Sequence, residues 1–288
     1  MKDKITELAI GGGGTSGMAY VGALKYLDEH GILKNIKKIA ASSIGSLLGT
    51  LVAVGYSSDE LLEIGFSLDF EVFGDSVGGT DEVLPSLFRG EKYEKFIREC
   101  LEKKNKKFFR DLDIDLIITG CCISPPGSKI CYFSKDKTPD MELCTAIKIS
   151  CSIPLIFPSI NYEGKQYIDG ALLNNLPINA LAENAIGIRT CRDATENHHN
   201  IETYLLNILH LFSQHLEKLQ IEKWKKNVIR IQTDDFGPLD FNLTYDKKLT
   251  LFYRGYLASR NFLKTWKCLP HSSDASTQTL ENPSLRDS

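Results

Sequence analysis

Apolar and polar positions along this chain fall into short blocks that predict strands and helices in turn. Leu8-Ala9-Ile10 is a strand-length apolar run entering Gly11-Gly12-Gly13-Gly14-Thr15-Ser16-Gly17. From Gly17 to Glu29, Ala19, Ala23 and Leu27 recur at helical spacing, and Gly31 stops the helix. Ile36 to Ala41 predicts a second strand that runs into Ala41-Ser42-Ser43-Ile44-Gly45 and an apolar helix. Ser57-Ser58-Asp59-Glu60 is a capping-box pattern that starts a helix reaching about Ser67.

Asp69 to Gly90 carries glycines, a proline and acidic residues among scattered aromatics, and predicts an irregular excursion of the kind that serves as a lid or binding loop. Its Phe70, Phe73 and Phe88 suit lipid entry. Helix resumes from Glu91 to about Lys104. Asp113 to Cys122, apolar on both faces, predicts a central strand, and Lys129 to Ser134 another. Glu142 to Cys151 reads as a helix ended by Pro154 and Pro158, and Gln166-Tyr167-Ile168 as a short strand into Asp169-Gly170. A helix is expected over Pro177–Asn184, with proline in its first turn, then a strand over Ala185–Thr190.

Ile201 to about Lys226 is the longest expected helix. Ile201, Tyr204, Leu205, Ile208, Phe212, Leu216 and Leu219 form a stripe at helical spacing, which predicts a core-facing side, with a lipid- or partner-docking face as the alternative. A strand over Val228–Gln232 and a helix over Lys247–Lys264 follow. Strands alternating with helices imply an α/β fold, a single domain whose mostly parallel sheet is flanked by helices. The domain is expected to span 1–268, and the Ser-, Thr-, Asp- and Pro-rich segment 269–288 to be a disordered tail.

Composition narrows the function classes. A net charge of −3 gives no general attraction to nucleic acid, although Lys103-Lys104-Asn105-Lys106-Lys107 and Lys223-Trp224-Lys225-Lys226 are locally basic. Eight scattered cysteines without a C-x-x-C pair argue for reduced thiols in a cytoplasmic setting, with no metal site. The longest uncharged apolar stretch, Ile44–Tyr56, has 13 residues, against roughly 20 for a membrane span, so any membrane contact is expected to be peripheral.

The glycine loop formally reads G-x-G-x-x-G between a strand and a helix. A dinucleotide fold would want a carboxylate at the end of the second strand; Ala41-Ser42-Ser43-Ile44-Gly45 has none. No Gly-Lys-Ser/Thr follows, which excludes a P-loop. Bare backbone N–H groups at a helix N-terminus suit a negative charge, whether a phosphate or an oxyanion. One crossover later, Ser43 stands at elbow spacing, with Gly45 two residues on and Ala41 two before. Either Ser42 or Ser43 could instead cap the following helix. His198, His199, His210, His215 and His271 follow in the chain, but none lies in a motif.

Taken together, these blocks resemble the patatin-like phospholipase family over about Glu7–Ile188. The loop Gly12–Gly17 is similar to its oxyanion-hole motif, Ala41–Gly45 to its G-x-S-x-G elbow, and Ile168-Asp169-Gly170-Ala171 to its D-G-G/A motif. Ser150–Pro158 and Asn174-Asn175-Leu176-Pro177 are similar to the family's surroundings of that last motif. The resemblance implies a three-layer sandwich and a lipid acyl hydrolase of phospholipase A or lysophospholipase type, free of cofactor and metal. Ser43 would be the nucleophile and Asp169 the base, without histidine. The N–H groups of Gly12, Gly13 and Gly14 would form the oxyanion hole, with Gly17, Ala41, Gly45, Gly170 and Ala171 supporting the motifs. Asp169 is expected to be desolvated and its pKa raised. The implied partners are a phospholipid or other acyl lipid and a membrane surface. Two departures stand out: Ser16 replaces the family's frequent Arg or Lys, and Ala41 the elbow's first glycine. A catalytically silent lipid-binding homologue is the first alternative, and a dinucleotide-binding protein the second.

Overall fold

The computed structural model describes residues 5–68, 87–192, 201–237 and 240–266. Its sheet contains β1 (Glu7–Ile10), β2 (Lys38–Ala41), β3 (Asp115–Cys122), β4 (Lys129–Ser134), β5 (Ile160–Tyr162), β6 (Lys165–Asp169), β7 (Ile186–Cys191) and β8 (Val228–Gln232). The order is β5-β6-β3-β2-β1-β7-β8, with β4 also paired to β3. From β3 through β8 the pairs are parallel, while β4, β5 and β6 join antiparallel.

The helices are α1 (Gly17–Glu29), α2 (Ile44–Ala53), α3 (Ser58–Ser67), α4 (Glu91–Lys103), α5 (Leu143–Ser150), α6 (Ile201–Ile221) and α7 (Tyr245–Thr265). The expected capping box starts α3: Ser57 accepts from the Glu60 N–H, and Glu60 accepts from the Ser57 N–H. Strand alternation divides the core. Leu8 and Ile10 of β1 join the large cluster with α1, α2 and α5, whereas Ala9 faces a smaller cluster of Leu176, Ile178, Ile221 and Val228. α7 packs directly on α1, backbone to backbone. A Cβ on Gly255 would collide with the carbonyl oxygen of Ala19, and one on Gly22 with that of Phe252.

The sequence reading needs correction in four places. The segment expected as a helix over Pro177–Asn184 is a single 3-10 turn, Pro177–Ala180, because Leu181 is already extended. Strand β5 was not expected. It forms a hairpin with β6 through Glu163 and Gly164, both at positive φ as a primed turn requires.

Three members of the expected core stripe of α6 turn to solvent instead: Tyr204, Phe212 and Leu219 are 47%, 64% and 68% exposed, as is neighbouring Leu211 at 65%, while Ile208 and Leu216 are half-buried. The inward side carries Ser213, Glu217 and Gln220 instead. Phe88 is half-buried against Phe157 and Phe241, not open to solvent. Phe70, Phe73, most of the expected lid and the 269–288 tail lie outside the described residues. In the first basic cluster, Lys104, Lys106 and Lys107 pair with Glu60, Asp113 and Glu142.

Candidate active site

Ser43 sits between β2 and α2 at φ 51°, ψ −132°, a left-handed conformation that non-glycine residues adopt only when their surroundings impose it. Those surroundings are visible. The Ser43 N–H donates to Ser150 Oγ at 2.9 Å, and its carbonyl accepts from Ser46 Oγ at 2.6 Å. The turn can be this tight because Gly45 passes the first strand: a Cβ there would lie 2.4 Å from the carbonyl oxygen of Ile10 and 2.5 Å from that of Gly11. Ala41 is fully buried at the end of β2 and holds its Cβ without displacing the turn. Ser42, the competing hydroxyl, is fully buried and accepts from Thr119 Oγ1 at 2.8 Å.

Sheet register brings Asp169 to this serine. One edge of β3 is occupied by β4. On the other, β2 pairs as far as Ile118 and β6 takes over at Gly120. β6 runs opposite to β2, so the two meet nearly head-on, with Asp169 arriving opposite Gly120 just beyond Ala41. Ser43 Oγ donates to Asp169 Oδ2 at 2.7 Å, and the Ala171 N–H donates to Oδ1 at 2.7 Å. Gly170 is required beside them, since a Cβ would fall 2.3 Å from Thr119 Oγ1. Asp169 is 2% exposed. Burial pushes its pKa up to about 7, against the opposing pull of the hydrogen bonds from Ala171 and Ser43. Such a carboxylate can exchange protons near neutrality.

The glycine loop splits its duties. The Gly11 N–H continues the sheet to Ile188 O at 3.0 Å. The Gly12 N–H, expected as an oxyanion donor, is engaged by Asn175, whose backbone oxygen and Oδ1 each lie at 3.1 Å. Gly12 is thus a fixed point of the loop, and a Cβ there would stand 2.6 Å from Asn175 Oδ1. Gly13 and Gly14 line the cavity, and their N–H groups meet no acceptor among the described residues. Gly17 begins α1 against Ile44, 2.7 Å from where a Cβ would sit.

Ser43, Asp169, Gly13, Gly14 and Ala171 share one cavity of about 160 Å³. No histidine is among its described lining residues. α6 forms one wall through Leu209, Ser213, Gln214 and Glu217. Ser16 lies buried at this cavity, and two guanidinium groups, Arg189 and Arg192, also line it.

Sequence reasoning missed the supporting shell. Asn175 Nδ2 donates to Glu217 Oε2 at 3.2 Å, and Glu217 Oε1 lies 3.1 Å from Arg189 Nε. Burial raises the Glu217 pKa in spite of Arg189. The signal for this wall was present as the polar stripe Ser213, Glu217, Gln220, at helical spacing on a different side of the helix from the apolar one.

The sequence model of the patatin-like phospholipase family matches residues 8–182. "Uncharacterized protein R571" of Acanthamoeba polyphaga mimivirus is 27% identical over 280 residues, covering 88% of this chain and 92% of that protein. "Probable lipid hydrolase 463L" of Invertebrate iridescent virus 6 is 28% identical over 276 residues, covering 86% of this chain and 85% of that protein. Among solved structures, VipD from Legionella pneumophila superposes with a TM-score of 0.68 at 15% identity, over 91% of this chain and 67% of that one, a likeness of fold. With the family model spanning the glycine loop, the elbow and the Asp-Gly motif, the chain belongs to the patatin-like phospholipase family.

Proposed function

We propose that this chain hydrolyses acyl esters of lipids through a Ser43–Asp169 dyad. The observation that carries the reading is the 2.7 Å bond from Ser43 Oγ to a buried Asp169 carboxylate, beside the N–H groups of Gly13 and Gly14. Ser43 Oγ attacks the ester carbonyl as its proton passes to Asp169 Oδ2. The carbonyl oxygen becomes an oxyanion facing Gly13 and Gly14, where preorganised donors stabilise developing charge. Collapse of the tetrahedral intermediate expels the alcohol, which takes the proton from Asp169. Water then attacks the acyl-serine, giving its proton to Asp169; as the second intermediate collapses, Asp169 returns that proton to the departing Ser43 Oγ and the fatty acid leaves. Arg189 and Arg192 supply positive charge near the cavity in place of the cation absent at Ser16.

A fluorophosphonate probe tests this. Stoichiometric modification at Ser43, lost in Ser43→Ala and strongly slowed in Asp169→Asn, is the expected result. A folded wild type that never labels overturns the dyad and favours the silent lipid-binding alternative.

The substrate class implies work at a lipid surface, and peripheral association with membranes is part of this reading. It is supported by the inverted polarity of α6, whose inner side lines the cavity while Leu211, Phe212 and Leu219 face outward. Exposed Lys218 lies one heptad beyond Leu211 on the same face, and exposed Lys226 follows the helix. Apolar side chains flanked by cations match the acyl boundary and anionic headgroups of a bilayer. No described helix is long and apolar enough to cross a membrane. The seven described cysteines are free thiols, which supports a cytoplasmic setting.

A further inference from the structure

Oxyanion-hole donors must point at a position that is empty until the reaction begins, so something other than substrate must hold their peptide planes. For Gly13 that element is visible on the far side of the same peptide. The carbonyl of Gly12 and the N–H of Gly13 belong to one planar trans unit, in which the two bonds point in opposite directions. The Gly12 carbonyl accepts a hydrogen bond from Tyr20 Oη at 2.6 Å. Tyr20 Oη in turn accepts from the Thr190 N–H at 3.1 Å and lies 3.3 Å from Thr190 Oγ1. The Gly12 N–H is fixed separately by Asn175. Both peptide units flanking Gly12, the second of which carries the Gly13 N–H, are therefore anchored.

We infer that Tyr20 is a positioning residue for catalysis, its hydroxyl orienting and polarising the Gly12–Gly13 peptide so that the Gly13 N–H is presented to the oxyanion. The inference rests on the proposed hydrolase reading and adds a residue to it. Tyr20 sits on the first turns of α1, is fully buried, and forms no part of the cavity lining. It acts only through the backbone of the loop. A hydroxyl donating to a peptide carbonyl strengthens the donor at the other end of that peptide, because hydrogen bonds in series polarise one another. Burial holds the phenol protonated well beyond the ordinary tyrosine range, so the hydroxyl remains a donor across working pH.

The test is Tyr20→Phe, which keeps the ring and removes the donor. Turnover of a soluble short-chain ester should show kcat reduced about tenfold with KM unchanged, as for an interaction that strengthens only in the transition state. A trifluoromethyl ketone, which adds Ser43 to form a tetrahedral oxyanion, should bind about tenfold more weakly. The corresponding amide, a ground-state analogue with no oxyanion, should bind as before. Equal weakening of ketone and amide would reveal general disruption of the cavity and overturn the inference, as would an unchanged kcat.

If Tyr20→Phe does not fold, 3-fluorotyrosine at position 20 retains the shape with a stronger donor. Ketone affinity and kcat should then rise together, and a lack of change in both overturns the proposal. An inactive, unlabelled wild type overturns the hydrolase reading and this inference with it. An active wild type with an unaffected Tyr20→Phe overturns this inference alone.

Discussion

The Ser43 hydroxyl donates to Asp169 at a point where two strands converge end to end on one edge of β3. The carboxylate is removed from water, and its pKa rises from 3.8 to about 7. A general base must be ionised to work. On a soluble ester, kcat/KM should therefore climb about tenfold per pH unit on the acid side, bend near pH 7 and level off above it. A bend near pH 4, the range of an exposed aspartate, would refute Asp169 as the base.

The same shift makes the buried Asp169 carboxylate a burden on the fold. Because folding raises this pKa, the native state holds the proton more tightly than the unfolded chain. Stability from this group is full below about pH 4 and falls as pH rises towards 7. Asparagine carries no such penalty and can still accept the Ala171 N–H. Asp169→Asn should then be inactive yet more stable than wild type at pH 8, by roughly 2–4 kcal/mol, with the difference vanishing near pH 4. Urea titrations at the two pH values would read it.

Gly13→Val targets the hole without touching the dyad. A Cβ there would sit 2.8 Å from Thr190 Oγ1 and 3.2 Å from Tyr20 Oη, so the loop must shift and its donors with it. Loss of one such donor costs about 3 kcal/mol, roughly a hundredfold in kcat. Circular dichroism should remain native. Near-normal turnover of the variant would count against this peptide as the hole.

Gly45→Ala should behave differently, as a folding defect. Its methyl group would press on the backbone carbonyls of Ile10, at the end of β1, and of Gly11, and the Ile10 carbonyl is already bonded to the Ser42 N–H. Overpacking against side chains costs about 1–3 kcal/mol, and fixed backbone should take the cost to the upper end or beyond. The expected outcome is a large drop in thermal midpoint.

On α6, Leu211→Ser, Phe212→Ser and Leu219→Ser together remove the outward apolar stripe. Co-sedimentation with anionic phosphatidylserine–phosphatidylcholine vesicles should fall at least tenfold, while hydrolysis of a soluble ester stays within about twofold. Equal vesicle binding by both proteins would exclude this face as the membrane contact. A dimer of the wild type that the substitutions dissolve would assign the face to a second copy instead.

What was legible in the sequence was what local chemistry determines. α1 begins and ends at the residues its spacing indicated, and Ser57–Glu60 announced α3. The glycine loop and the elbow were readable because each is one strand–turn–helix unit. Asp169 was readable only through a resemblance, since its approach to Ser43 depends on β6 replacing β2 along β3, a matter of register between distant segments.

α6 was misread because it carries two stripes, and periodicity cannot say which one faces inward. The polar stripe won through bonds to Ala171, Leu173 and Asn175. β5 has three residues, too few to show alternation. The Gly22–Gly255 crossing of α1 and α7 gave no sign, because neither glycine stands in a turn.

The contact of Gly45 with the carbonyls of Ile10 and Gly11 fuses the nucleophile turn and the glycine loop into one rigid body. The reacting centre thus belongs to the sheet, and the enclosing wall belongs to α6, which meets that centre through side-chain bonds. On the proposed reading, substrate choice and chemistry divide within α6 itself: Leu209 can be changed to reshape the wall, whereas Ser213 and Glu217 hold Ala171 and Asn175 and so belong with the reacting geometry.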